Sequence, residues 1–270
     1  LKVIFGAHQD WKTGLRSGTE AAGHEFHMDT LGGLDLAAYD LVVPLRLDDR
    51  AALAPRIARG EAIPALLASA EAEALCHDKL AFNNAMIRAG LGACIPPMFS
   101  SWPADPDAYP VILKQRRDDW GKNSCIVPAR PAPCHEIDHD TQFAQAYLPG
   151  TEEWATHLLL RDGRILFEAS IRYTMPDIPC VKGAQTPPLG RQWQGQTEHL
   201  DLSRRVLDAA GFRDGTCCID YRVGRDQVHI FEVNPRFGGS LCDRIGSYLE
   251  AYKNTLAAPQ RPHCALPPDV

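Results

Sequence analysis

The 270-residue chain has no apolar run approaching the roughly 20 residues of a membrane helix, so no membrane partner is expected. Nor has it a basic run. Its 28 Lys and Arg are scattered among 34 Asp and Glu, for a net charge of −6, and the electrostatic footprint of a nucleic-acid binder is missing. There is no C-x-x-C pair. The nine cysteines are odd in number and scattered, which points to reduced thiols filling a core, not to a disulfide framework or zinc ribbon. The loop after the first apolar segment, "GAHQDWKTG", lacks G-x-G-x-x-G, which weakens a dinucleotide reading. No internal repeat is visible. What remains is 45% hydrophobic and 23% charged, enough for a sizeable core in one large domain or two to three small lobes, with a cytoplasmic location expected. "LKVIF" at the start reads as a core strand followed by His8 and Asp10, and not as a signal peptide.

Strand and helix signals alternate over the first part, ending in "YDLVVPLRL", whose apolar run suits a strand buried on both faces of a small open α/β lobe. Asp48 to Ala74 reads as helix, broken near Gly60 and Pro64. In "HDKLAFNNAMIRAGLG", Asp78 caps a helix with Leu80, Phe82, Ala85, Met86 and Ala89 on its apolar face, and Gly90 stops it. "YPVILKQRRDDWGKNSCIV" is strand, charged loop, strand. "ATHLLLRDGRILFEASI" folds at Asp162-Gly163, a type I′ turn signal. The stretch from Pro176 to Gln196 has no periodicity and reads as a mobile loop, "DLSRRVLDAAG" as a helix closed by Gly211, and "CCIDYRVGRDQVHIFEVN" as a second hairpin.

If that second hairpin turns around Arg225, Asp226 and Gln227, Asp220 falls opposite Glu232. Two carboxylates facing each other across a sheet repel unless something compensates, and a divalent cation is the obvious compensator. Asn234, two residues on, shares the face of Glu232 because strand side chains alternate. Three oxygen donors suit Mg²⁺, which takes one or two carboxylates and completes its shell with water and phosphate oxygens. On spacing alone the same residues also describe a polar strand end entering an Asn-Pro turn.

Five segments in order, "HDKLAFNNAMIRAGLGACIPP", "YPVILKQ", "FAQAYLPGTEEW", "GTCCIDYRV" and "IFEVNPRFGGS", resemble the ATP-grasp superfamily of ATP-dependent carboxylate ligases over about Ser69 to Ser240. The resemblance implies a small N-terminal open α/β lobe (1–68), a two-lobed α+β ATP-grasp unit (69–142 and 143–258, the second lobe carrying the metal-binding hairpin) and a Pro-rich tail (259–270). It implies ATP as nucleotide, with Mg²⁺, or Mn²⁺ as an alternative ion, on Asp220, Glu232 and Asn234. Lys79 and Lys114 match the phosphate-contacting lysines, and Ala146 and Leu148, beside Gln145, match the hinge that reads adenine. Glu152 matches the ribose carboxylate, with adjacent Glu153 as its substitute. Arg236 and the following "FGGS" match the acceptor side. Arg236, Lys114 and Asn234 are the expected catalytic groups.

The chain departs from the family in two ways. The loop "QRRDDWGKNS" holds one glycine where relatives carry a glycine-rich flap, and its Arg116 and Arg117 imply a more cationic lid or a nearby substrate site. The second departure is brevity, read as the lack of a long C-terminal extension of the carboxylase type and expected to count against biotin-dependent carboxylation. "HEIDH", His135 to His139, fits the zinc-protease motif H-E-x-x-H but lacks a helix to carry it. Cys217-Cys218 reads as core packing, and Arg172 and Lys182 as either phosphate contacts or surface cations.

The function expected is ATP-dependent activation of a small carboxylate as acyl phosphate and its ligation to an amine. The alternatives are an enzyme activating bicarbonate or carbamate, and a nucleotide-binding module without catalysis. Small carboxylate and amine substrates are the expected partners, and a homodimer is compatible with the sequence. The 115–124 flap and the 176–196 loop are expected to close over the activated acid.

Overall fold

A computed structural model describes residues 1–132, 136–183, 185–224 and 227–256. Three sheets carry the fold. The first is parallel: β1 (Lys2–Gly6), β2 (Glu25–Asp29) and β3 (Leu41–Val43), in the order β2-β1-β3, with helices α1 (Lys12–Ala21) and α2 (Leu47–Ala58). Val3, Ile4 and Phe5 of the central strand are essentially inaccessible, because both faces are covered. Val3 and Phe5 pack with Leu15 of α1, and Ile4 packs on the opposite side with Leu53 of α2.

The second unit holds α3 (Ala70–His77), α4 (Lys79–Met86) and an antiparallel sheet of β4 (Met98–Phe99), β5 (Val111–Gln115), β6 (Cys125–Val127) and β7 (Gln142–Ala146), in the order β4-β7-β5-β6. The third is a five-stranded antiparallel sheet, β10-β9-β8-β11-β12, built from β8 (Glu152–Arg161), β9 (Arg164–Thr174), β10 (Gly190–Trp193), β11 (Gly215–Val223) and β12 (Val228–Asn234). Helices α5 (Leu200–Ala209) and α6 (Ile245–Leu256) complete it. Asp162 and Gly163 both have positive φ, 52° and 75°, as the type I′ turn between β8 and β9 requires. Asp78 accepts from the Ala81 N–H at 3.1 Å and so caps α4, and Gly90 (φ 78°) ends the wide turn that follows the helix.

Three expectations are corrected. The helical segment does break near Gly60, which takes φ 82°, but the break is wider than expected: helix stops at Ala58 and residues 61–69 run without it until α3 starts. In this strip Ile63, Ala65 and Leu67 pack on one cluster and Leu66 on another, a period of two. The 176–196 loop contains β10, whose exposed, polar Gly190-Arg191-Gln192 shows no apolar alternation because it forms a sheet edge against β9. Third, α6 stands where the sequence reading assigned nothing. Ile245, Tyr248, Leu249 and Tyr252 line its buried stripe, and burying each such side chain contributes about 1.5–3 kcal/mol. The 259–270 tail and the turn residues Arg225 and Asp226 lie outside the described residues. Among the described residues no helix is long and apolar enough to cross a membrane.

Candidate active site

A cleft with about 750 Å³ of empty space, counting its solvent-open part, separates the four-stranded from the five-stranded sheet. Ile112, Lys114, Gln145 and Ala146 line one wall, and Asp220, Arg222, Phe231 and Glu232 the other.

The hairpin register pairs Asp220 with Glu232 directly. Their charges are compensated twice. The Asn234 amide nitrogen donates to Asp220 Oδ2 at 2.9 Å and to Glu232 Oε1 at 2.8 Å. Each acid also has a lysine: Lys182 Nζ lies 2.8 Å from Asp220 Oδ1, and Lys79 Nζ 3.3 Å from Glu232 Oε2. Burial by itself would raise the Glu232 carboxyl, but Lys79, the Asn234 amide and Lys114 together hold it down at about 2. Burial, reinforced by Glu232 and Glu153, leaves Asp220 above the usual aspartate value despite Lys182. Among the described residues no three of His, Cys, Asp and Glu converge as a closed metal cage. The donors present nonetheless fit Mg²⁺, an ion that uses one or two carboxylates and fills its shell from water and phosphate. Asn234 turns its NH₂ toward both acids, so a half-turn of the amide would be needed to offer its oxygen.

Lys79 opens α4. Its backbone N–H donates to the Arg116 carbonyl at 2.8 Å and its Nζ to the Asp118 carbonyl at 2.5 Å, fastening the flap to the helix start. Lys114, on β5, is 9% exposed and sits 5.3 Å from the Phe231 ring centroid. Burial drives its amine down to about 8, against the pull of Glu232.

At the other end of the cleft, the Ala146 N–H donates to the Pro97 carbonyl at 2.8 Å. Pro97 has no N–H to return, so the reciprocal ladder bond to the Ala146 carbonyl cannot form. The Leu148 carbonyl accepts from Arg222. Buried Gln145 gives its amide to the Pro96 carbonyl at 3.0 Å and keeps Oε1 without a protein partner.

Of the two adjacent glutamates, Glu153 faces the cleft, 2.8 Å from Lys182 and 3.5 Å from Arg222, whereas exposed Glu152 pairs outward with Arg172 at 3.0 Å. Lys182, weighed evenly in the sequence, is a half-buried cation bridging Glu153 and Asp220. Arg222 escaped notice, although its place two residues after Asp220 on one strand was the signal.

Arg236 lies beyond the end of β12, so the alternation that aligns Glu232 with Asn234 stops before it. Its Nε and Nη2 contact Asp119 Oδ1 at 3.3 and 3.1 Å, and Nη1 donates to the Phe237 carbonyl at 3.2 Å. It faces a second, wider trough. The next two glycines are required by close approach: a Cβ on Gly238 would stand 2.4 Å from His157 Cε1, and one on Gly239 2.9 Å from the Trp11 ring. Ser240 Oγ joins His157 Nε2 at 2.7 Å and Tyr173 OH at 2.9 Å.

The arginines of the flap do not make it a cationic lid. Arg116 turns back in a bidentate contact on buried Asp78, its closest approach 2.6 Å, while Arg117 is largely exposed. The flap meets the 176–196 loop directly: Gln185 Nε2 donates to the Gly121 and Ser124 carbonyls at 2.7 and 2.5 Å. In "HEIDH", His135 lies outside the described residues, Glu136 is exposed, and His139 bonds the Ser100 carbonyl at 2.9 Å with no helix present.

No family model matches the chain, and no curated protein does. Solved structures do. An L-amino acid ligase from Bacillus licheniformis superposes with TM-score 0.61 at 15% identity, covering 96% of this chain and 75% of that one. D-alanine–D-alanine ligase from Bacillus anthracis gives 0.60 at 14%, covering 94% and 93%. The biotin carboxylase–βγ-ATP complex from Campylobacter jejuni gives 0.60 at 13%, covering 96% and 72%. Three sheets in this order, a cleft between the second and third, and agreement along nearly the whole chain identify the architecture: the protein has the ATP-grasp fold, preceded by a small α/β lobe.

Proposed function

We propose that the protein is an ATP-dependent carboxylate–amine ligase. The observation that carries this reading is the convergence of Lys79, Lys114 and Lys182 with Glu153, Asp220 and Glu232 in one cleft, which Ala146, whose carbonyl Pro97 cannot pair, also lines. An adenine amino group would donate to that carbonyl, with the Leu148 N–H meeting the ring. Glu153 would accept from the ribose hydroxyls, and Lys79 and Lys114 would meet the phosphates, where a compact ammonium suits polyphosphate. Asp220 and Glu232, with Asn234 after its half-turn, would hold Mg²⁺, which when bound supplies charge neutralisation on phosphoryl oxygens. Arg236 would orient the acid, since a guanidinium fork matches a carboxylate. In the reaction read here, a carboxylate oxygen takes the terminal phosphoryl group and ADP leaves. The amine then attacks the acyl carbon, and phosphate departs. The flap latched to Gln185 supports this reading, because an acyl phosphate must be kept from water.

The D-alanine and L-amino acid ligases named above join a carboxylate to an amine, and this chain spans most of their length. The biotin carboxylase likeness brings in bicarbonate activation, but the broad, tryptophan-lined trough beside Arg236 favours an organic acid. A screen of carboxylate and amine pairs for ADP release tests the function. With the right acid, ATP and hydroxylamine, a hydroxamate and ADP are expected; AMP and pyrophosphate would overturn the acyl-phosphate route.

Nucleotide binding is expected to take up protons near pH 8. In the free protein Lys114 is half-neutral there, and a neighbouring triphosphate favours the charged amine and raises its pKa. The calorimetric heat of binding at pH 8.5 should therefore depend on the ionisation enthalpy of the buffer, and affinity should fall above pH 8. Heat independent of buffer would remove Lys114 from the phosphate site.

A further inference from the structure

The trough beside Arg236 opens at the carboxyl ends of the parallel strands, where open α/β sheets bind ligands, and holds about 1400 Å³ of empty space, nearly twice the nucleotide cleft. Three observations limit what it accepts. First, its charges balance: four basic and four acidic side chains line it, with Arg236 paired to Asp119 and Arg46 to Asp48, so neither a polyanion nor a polycation is matched by it, and a ligand carrying one charge of each sign is. Second, its apolar wall is aromatic. Trp11 is stacked on His8, ring centroids 3.7 Å apart and planes within 5°, and Trp120 of the flap lies nearly parallel to Trp11 at 6.4 Å and 13°. Trp120 is 44% exposed, and its φ of 64° is an outlier for so bulky a residue. The flap backbone is strained in the conformation that presents this indole, and Gly121 packs against Val181 so tightly that a Cβ would stand 2.6 Å from it. Third, Arg236 already holds a carboxylate. The flap's own Asp119, 56% exposed, occupies a guanidinium only 10% exposed.

We propose that this trough binds an α-amino acid with an aromatic side chain, or a short peptide ending in one, its carboxylate replacing Asp119 on Arg236 and its ring packed on Trp120. The ammonium would be met by the trough's exposed carboxylates, Asp10 and Asp48, the second of which is paired with Arg46 in the free protein. This assignment rests on the ligase reading for its chemistry but not for its binding. Asp119 is a placeholder that satisfies Arg236 until substrate arrives, and the same residue belongs to the flap that closes the nucleotide cleft, so seating the acid frees the flap to move.

The test is calorimetric titration of the protein, loaded with Mg²⁺ and a non-hydrolysable ATP analogue, with L-phenylalanine, glycyl-L-phenylalanine, L-alanine and 3-phenylpropionate. The tighter of the two aromatic amino compounds should exceed alanine and 3-phenylpropionate by about tenfold or more, the scale on which an apolar pocket separates side chains. Trp120→Ala should reduce the aromatic-to-alanine ratio to within about threefold, a ratio in which any general loss of nucleotide affinity cancels. Asp119→Asn should tighten the aromatic ligand several-fold by removing the competitor on Arg236. Equal binding of alanine and the aromatic compounds, no binding of any, or a ratio unmoved in Trp120→Ala overturns the assignment. ADP release in hydroxylamine is read separately: aromatic-selective binding without ADP from any acid refutes the ligase reading and leaves the trough assignment standing. ADP released with small aliphatic acids alone does the reverse.

Discussion

Glu232→Gln is expected to lower ADP formation by about 10²–10⁴, the rate equivalent of losing several kcal/mol of charge stabilisation at the phosphoryl group. Glutamine preserves the shape and the bond from Asn234, which reaches Oε1 at 2.8 Å, but removes one of two facing carboxylates. Half-saturation by Mg²⁺ should move to higher concentration in the same assay. Stability gives an independent reading. Because Glu232 is held at about 2 in the fold and would titrate near 4.5 when unfolded, it stabilises the protein above pH 4.5, and this contribution is lost as pH falls toward 2. The glutamine variant should lack that acid-sensitive component. Turnover at the parental rate would mean that no metal sits on this strand pair.

The second large effect is on folding. Lys182→Met leaves buried Glu153 and half-buried Asp220, each 2.8 Å from the missing amine, without their shared cation. Removing one partner from a buried ion pair costs about 3–5 kcal/mol. At about 2–4 °C per kcal/mol for a chain of this size, the melting temperature should fall by about 6–20 °C. Asp220, already raised by burial, should rise further in the variant. A raised carboxyl stabilises the fold while protonated and loses that advantage as pH climbs through its folded value, so the gap between parent and variant should widen from pH 5 to pH 8. Mg²⁺ should stabilise the variant more than the parent, since it replaces the absent charge. A gap unchanged with pH would mean that Asp220 and Glu153 are compensated elsewhere, Arg222 beside Glu153 being the nearest cation.

What was legible in the sequence was local or periodic. Asp162-Gly163 announces its hairpin because both positions need positive φ; Asp220 does meet Glu232, but through a one-residue register shift between Asp220 and Tyr221, since the pairing nearer the turn, Val223 with Val228 and Tyr221 with Ile230, would by itself set Asp220 opposite Phe231. Asp78 before Lys79 marks a helix start, which also aims the lysine. Contacts between distant segments were not legible. Arg116 looked like a lid cation because its partner, Asp78, lies 38 positions earlier. Glu152 and Glu153 are interchangeable as letters and are separated only by which face of β8 looks into the cleft. Lys182 comes from an aperiodic loop, and nothing local says that it ends as a bridge between two acids. The α6 stripe was periodic and readable, yet no motif drew attention to it.

That helix bears on how the chain is made. Phe237, Leu241, Ile245, Tyr248, Leu249 and Tyr252 fill the same core as Val3, Phe5 and Leu15, and the Tyr252 hydroxyl accepts from the Leu66 N–H across 186 positions. Chains emerge from the ribosome N-terminus first, and contacts of such wide separation form slowly. The parallel sheet, although synthesised earliest, must wait with one side covered only in part, by α1, until residues 237–252 are available. The β8–β9 hairpin needs only its neighbours. Folding order should therefore run against the order of synthesis: the sheet made first is secured last, and a polypeptide cut just after the Glu232 strand would lose the opposite end of the molecule.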